Sequence, residues 1–152
     1  MDLKVQWDCA MLFRGFTPEA TTVMMDAHPE QGGTNAGPTP METLLMALAG
    51  CTGMDVIGIL SKRRAPVERF AIDVHAERAG EHPRVLTAIH LRYVASGAGL
   101  TGAQVRKAVA LSLDRYCSIS AMLRKTVVLT HDVVVEGGAA EESKDVQAAP
   151  AA

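Results

Sequence analysis

The segment Met41–Leu60, METLLMALAGCTGMDVIGIL, decides the architecture. Its twenty residues are mostly apolar, and on length alone they could cross a bilayer. Glu42 and Asp55 interrupt the run, as do Gly50, Gly53 and Gly58. A carboxylate near the bilayer centre is costly. A helix that is apolar on nearly every side is also what burial inside a protein produces. The segment therefore reads as a helix covered by protein, not by lipid.

Working outward, Thr39 with Glu42 forms a candidate capping box and Pro40 suits the first helical turn. The helix is predicted over 40–63. Lys62, Arg63 and Arg64 complement its C-terminal dipole, and Pro66 ends it. Before it, residues 3–9, 10–16 and 20–26 read as short strands. Residues 27–40 hold three Pro and three Gly and read as a loop. After the helix, 67–78 and 84–95 alternate as strands joined by a turn at 79–83, with Val67, Phe70, Ile72 and Val74 inward on the first. Val85, Thr87, Ile89, Leu91 and Tyr93 share one side of the second. Thr101 caps a helix over 101–116, Ser118 a short helix over 119–125, and 127–135 is a last strand. The order βββ-α-ββ-α-α-β, with hairpin-linked neighbours, is α+β with antiparallel sheets around a long central helix. Residues 1–136 make one domain, and 137–152 lack periodicity and read as a disordered tail. So small a domain has few elements to cover both faces of the central helix, so a second copy of the chain is expected to help.

Composition narrows the function. The chain has 152 residues, a net charge of −2, 48% hydrophobic and 4% aromatic residues, and eight Met. The core is therefore aliphatic, with Met adding adaptability. No basic block favours nucleic acid or a membrane surface. Residues 1–9 carry Asp2, Lys4 and Asp8 where a secretory leader would be basic and then apolar. Three Cys do not make a disulfide framework, so a cytoplasmic location is expected.

Two thiols stand out. Cys51 lies mid-helix among Ala47, Ala49, Gly50, Thr52 and Gly53, small neighbours that let a substrate or backbone approach. It is a small buried hydrophobe or a reactive thiol. Cys117, in DRYCSIS, is a packing residue, or a thiol near the free N–H groups of a helix start, which favour a thiolate. Cys9 has no flanking cation and receives no role. His28, His75, His82, His90 and His131 are scattered. His75 and His90 are candidate cross-strand neighbours without a third ligand, so no metal site is expected. There is no GxSxG elbow and no phosphate-binding Gly loop, and no cofactor is expected.

The segments Gly37–Leu60 (GPTPMETLLMALAGCTGMDVIGIL) and Ser112–Val127 (SLDRYCSISAMLRKTV) resemble the OsmC/Ohr family. The likeness spans about Leu3 to Glu136, and the GPTPME…GC…D pattern is closer to the less characterised OsmC-like branch than to the Ohr enzymes proper. The resemblance implies an intertwined homodimer with the long helices buried between sheets and active sites at the subunit interface. It implies a thiol-dependent peroxidase acting on organic hydroperoxides. Cys51 is then the peroxidatic thiol and Cys117 the resolving one, and a dithiol reductant restores both. Ohr enzymes add an Arg and a Glu. Their Glu directly follows the Pro eleven residues before the first Cys; here Pro40 holds that place, Met41 follows, and Glu42 is displaced by one residue. That step turns a helical side chain by about 100°. Glu42 is thus a catalytic carboxylate or a helix cap. Arg14 is the positional candidate for the cation, or a solvated strand-end charge. Asp55 lies one turn beyond Cys51 and would oppose its ionisation. The shifted Glu42 motivates the rival reading, a non-catalytic stress-associated dimer binding a small molecule. A redox sensor is the third.

Overall fold

Among the described residues, six strands and three α-helices form. The computed structural model describes residues 1–137; the expected disordered tail lies, from residue 138 on, outside them. The described chain falls into two compact units, Met1–Met46 and the residues from Ala47 on.

In the first unit, β1 (Lys4–Cys9), β2 (Leu12–Phe16) and β3 (Thr22–Met25) form an antiparallel meander. The turn between β1 and β2 places Ala10 at φ 43°, and the Trp7 indole N–H donates to the Ala10 carbonyl at 2.9 Å. Asp26 organises the loop after β3. Its buried carboxylate accepts the N–H groups of Ala27 (2.8 Å), Thr34 (2.9 Å) and Ala36 (3.1 Å) and the Thr34 hydroxyl (2.8 Å). Gly33 is required here, because a Cβ would collide with the Ala27 carbonyl. The loop ends in the expected capping box. Thr39 N–H donates to Glu42 Oε2 at 2.7 Å, and Glu42 N–H donates to Thr39 Oγ1 at 3.3 Å. That box opens α1 (Pro40–Lys62), which continues into the second unit.

The second unit is built on a sheet ordered β4-β5-β6, with β4 at Arg69–Arg78, β5 at Leu86–Ser96 and β6 at Val128–Glu136. β4 and β5 are antiparallel, as expected. β5 and β6 are parallel, which departs from the expectation of purely antiparallel sheets. The reason is the connection: residues 97–127 return through helices to the same end of the sheet, and parallel neighbours need such a crossover. The inward rows also differ in phase. A register shift opposite Glu77/Arg78 leaves Thr87 unpaired, so Leu86 is 6% exposed while Val85 is 54% exposed. Beyond that bulge Ile89, Leu91, Tyr93 and Ala95 point inward.

The helices cover that inward face. α1 contributes Leu48, Thr52, Val56 and Leu60, spaced by one turn. Gly53 lets it approach β4, since a Cβ there would meet Ile72 Cδ1 at 3.2 Å. α2 (Gly102–Leu111) is capped by Thr101, in a capping box with Gln104, and buries Val105, Ala108 and Val109. The expected helix to residue 116 changes pitch at Ser112. Ser112–Tyr116 form a wider π-helical turn, closed by Cys117 N–H donating to the Ser112 carbonyl at 2.9 Å. α3 (Ser118–Leu123) is capped by Cys117, where Ser118 was expected.

The bulge gives one expected outcome. Leu86→Ala should cost about 2–5 kcal/mol in urea unfolding, and Thr87→Ala within about 0.5 kcal/mol of zero. Equal costs would mean uninterrupted alternation. A second outcome concerns Asp26, whose hydrogen bonds from Thr34, Ala36 and Ala27 hold it down at about 2 against an ordinary 3.8. A depressed carboxyl stabilises the fold above its unfolded value and loses that contribution as pH falls through the folded one. Between pH 4 and 2 the first unit should loosen, reported by fluorescence of Trp7, the chain's single Trp. Asp26→Asn should flatten that acid limb.

Candidate active site

Two elements bring the thiols together. α1 carries Cys51 at mid-length, and the π-helical turn delivers Cys117 at the start of α3. Sixty-six residues apart in sequence, their sulfurs lie 2.7 Å from each other, and both are free thiols. The two share one S–H···S contact. Cys117 Sγ also accepts the Ser120 N–H at 3.3 Å. The Ile119 N–H serves Cys51 in the same way. Two successive orphan amides of a helix start thus address the two sulfurs.

Exposure separates the pair. Cys117 is 2% exposed, whereas Cys51 is half-buried and reachable. Burial pushes the Cys51 thiol up from its ordinary value. The Cys117 thiol and the Asp55 carboxylate push the same way, and the Ile119 N–H works against them.

Asp55 is held in place. The Ser112 hydroxyl donates to Asp55 Oδ2 at 2.8 Å, from a fully buried position at the head of the π-helical turn. Arg124 secures the far side of that turn. Its Nη2 donates to the Leu113 carbonyl at 2.6 Å and its Nη1 lies 3.5 Å from Asp114. Asp55 also lines a cleft of about 390 Å3 with Met54, Gly58, Ile59, Lys62, Arg63, Leu111 and Tyr116. Thr52, next to Cys51, faces the fully buried Tyr93, whose hydroxyl burial pushes up to about 12.

The other two sequence candidates belong to the first unit. Glu42 is the capping residue of α1, and its bonds from Thr39 hold its carboxyl below the ordinary range. Arg14, on β2, pairs with Asp8 at 2.6 Å. Arg115 lies exposed on the π-helical turn. His75 and His90 are cross-strand partners, but His90 bonds Thr130 and Asp132, each at 2.8 Å. Among the described residues no group of three or more His, Cys, Asp or Glu side chains could hold a metal ion. Sequence reasoning missed Ser112 and Arg124. A serine within a predicted helix carries no signal of its own, and only the change of pitch makes it a partner for α1.

The chain is thus α+β, with one long apolar helix and two thiols brought together from distant parts of the sequence. A family model described as OsmC-like protein matches residues 33–132, and the chain belongs to that family. It is 38% identical over 135 residues to Protein YhfA of Escherichia coli (strain K12), covering 89% of this chain and 98% of the relative. The crystal structure of a hypothetical protein from Aquifex aeolicus VF5 matches with a TM-score of 0.73 at 27% identity, covering 89% and 96% of the two chains. A Legionella pneumophila structure described as an organic hydroperoxide resistance protein OsmC shares the fold, with a TM-score of 0.64 at 15% identity over 88% and 96% of the two chains.

The raised Cys51 thiol gives an expected outcome. Its alkylation by iodoacetamide, followed on the Cys51 peptide by mass spectrometry, should be slower at pH 7 than that of a free thiol of ~8.5 and keep rising above pH 9. A plateau reached below pH 8 would contradict the electrostatics described above.

Proposed function

We propose that the protein is a thiol-dependent peroxidase that reduces organic hydroperoxides with Cys51 and Cys117. The observation that carries the reading is the 2.7 Å sulfur contact joined to unequal exposure. The reachable sulfur attacks and the buried one waits beside it. Cys51 attacks the terminal peroxide oxygen; an S–O bond forms, the O–O bond breaks, and the alkoxide takes a proton to leave as alcohol. Cys51 is now a sulfenic acid. Cys117 attacks that sulfur, an S–S bond forms and water leaves. A dithiol reductant then exchanges with the disulfide and is itself oxidised. The small, apolar neighbours of Cys51 on α1, Ala47, Ala49, Gly50 and Gly53, suit an organic hydroperoxide better than hydrogen peroxide.

The working unit is proposed to be a homodimer. Met54 is 75% exposed on α1, and Ile57 is exposed beside a groove that α1 forms with Phe70 and Ile72 of β4. An apolar helix left open in this way calls for a second copy. Glu42 and Arg14 stay as proposed activating groups on the strength of the family resemblance. A cytoplasmic location suits a pair of thiols that must be reduced after each cycle.

The upward push on Cys51 favours a second reading, a redox sensor or a non-catalytic stress-associated dimer that binds a small molecule. Such a protein oxidises slowly and does not turn over with any dithiol. The peroxidase expects Cys51→Ser to abolish consumption of cumene hydroperoxide. Cys117→Ser should react once per site and accumulate a sulfenic acid that dimedone labels. Consumption at the parent rate by both variants would falsify the enzyme reading.

A further inference from the structure

Reduction of a hydroperoxide by a thiol moves a proton as well as an oxygen atom. The sulfur must lose its proton, and the departing alkoxide, a strong base, must gain one. A second ionisable side chain on the Cys51 face of α1 therefore has a chemical consequence. Asp55 is that side chain. Residues four apart on a helix stand about 5–6 Å apart at Cβ, close enough to act on one bound molecule. Its Oδ2 is fixed by the buried Ser112 hydroxyl at 2.8 Å, and its charge acts on the Cys51 thiol. A carboxylate that served only as a charge would hinder the thiol beside it.

Resting on the peroxidase reading, we propose that Asp55, positioned by Ser112, is the proton carrier of the thiol site. Its carboxylate takes the proton of the Cys51 thiol as the sulfur attacks. The S–O bond forms to the terminal peroxide oxygen, and the O–O electron pair passes to the alkoxide. The same proton then moves from Asp55 to that alkoxide, which leaves as a neutral alcohol. Sulfur is oxidised, the peroxide is reduced, and the carboxylate is returned unchanged. Asp55 is a carboxylate of the second unit on the same helix as Cys51, whereas Glu42 is bound to Thr39 as a helix cap.

The test uses the full chain and two reagents that differ in one requirement. Iodoacetamide reads only the thiolate, because iodide leaves without a proton. Cumene hydroperoxide needs both the thiolate and a proton for its alkoxide. In Asp55→Asn the opposing charge is gone, so alkylation of Cys51 at pH 7 should become several-fold faster. The first hydroperoxide turnover, measured by stopped flow without reductant, should become about 10²-fold slower, the usual scale for losing a general acid–base group. Ser112→Ala, which keeps the carboxylate but frees it, should slow the hydroperoxide step less and leave alkylation near the parent rate. Two Asp55→Asn rates that move in the same direction, up or down, overturn the proton carrier and leave the peroxidase standing. A parent that alkylates at Cys51 but consumes no hydroperoxide overturns the peroxidase and this step with it.

Discussion

Ser112 is the joint on which the second unit's chemistry turns. Its carbonyl accepts the Cys117 N–H at 2.9 Å and closes the π-helical turn, while its hydroxyl donates to Asp55 at 2.8 Å. One residue thus ties the end of α2 to α1 and sets where the next thiol emerges. An ordinary α-helical turn would rotate Cys117 to a different bearing, because each residue advances about 100°. Widening by one residue is a local disturbance of the kind that recurs at functional sites. The Arg124 bond to the Leu113 carbonyl satisfies an acceptor that the change of pitch leaves over.

That joint creates a site with opposing demands. Burial brings the two sulfurs into contact and keeps Cys117 away from solvent, which protects it from everything except its partner. The same burial disfavours a charged sulfur. Two backbone amides, from Ile119 and Ser120, offset part of that penalty without introducing a mobile side chain. Fixed dipoles of this sort need no reorganisation when charge appears.

α1 imposes the second constraint. By length and composition it could cross a membrane, with a mean hydropathy of 1.8 over its apolar window. In the structure one stripe, Leu48, Thr52, Val56 and Leu60, is buried by protein, and Asp55 has a hydroxyl partner. Met46, Met54 and Ile57 remain open. The proposed homodimer rests on these exposed apolar side chains of α1.

Much of the fold was legible in local pattern. Alternation in RFAIDVHAER placed Phe70, Ile72 and Val74 on one side of β4, and the Thr39–Glu42 spacing marked the start of α1. Pro66 limited α1, and Thr101 opened α2. These are short-range choices, governed by backbone period and capping, so neighbouring residues suffice to specify them. The site was half legible. Small residues around Cys51 and the DRYCSIS context of Cys117 marked both thiols, but the residues alone left packing as a standing explanation for each. Only the tertiary structure decided that the sulfurs meet, that β6 runs parallel to β5, that Leu86 and not Val85 turns inward, and that Asp55 answers to Ser112. Each depends on a register shift, a change of pitch or a crossover whose energy is shared among residues far apart in the chain, and such terms leave no period in the sequence to read.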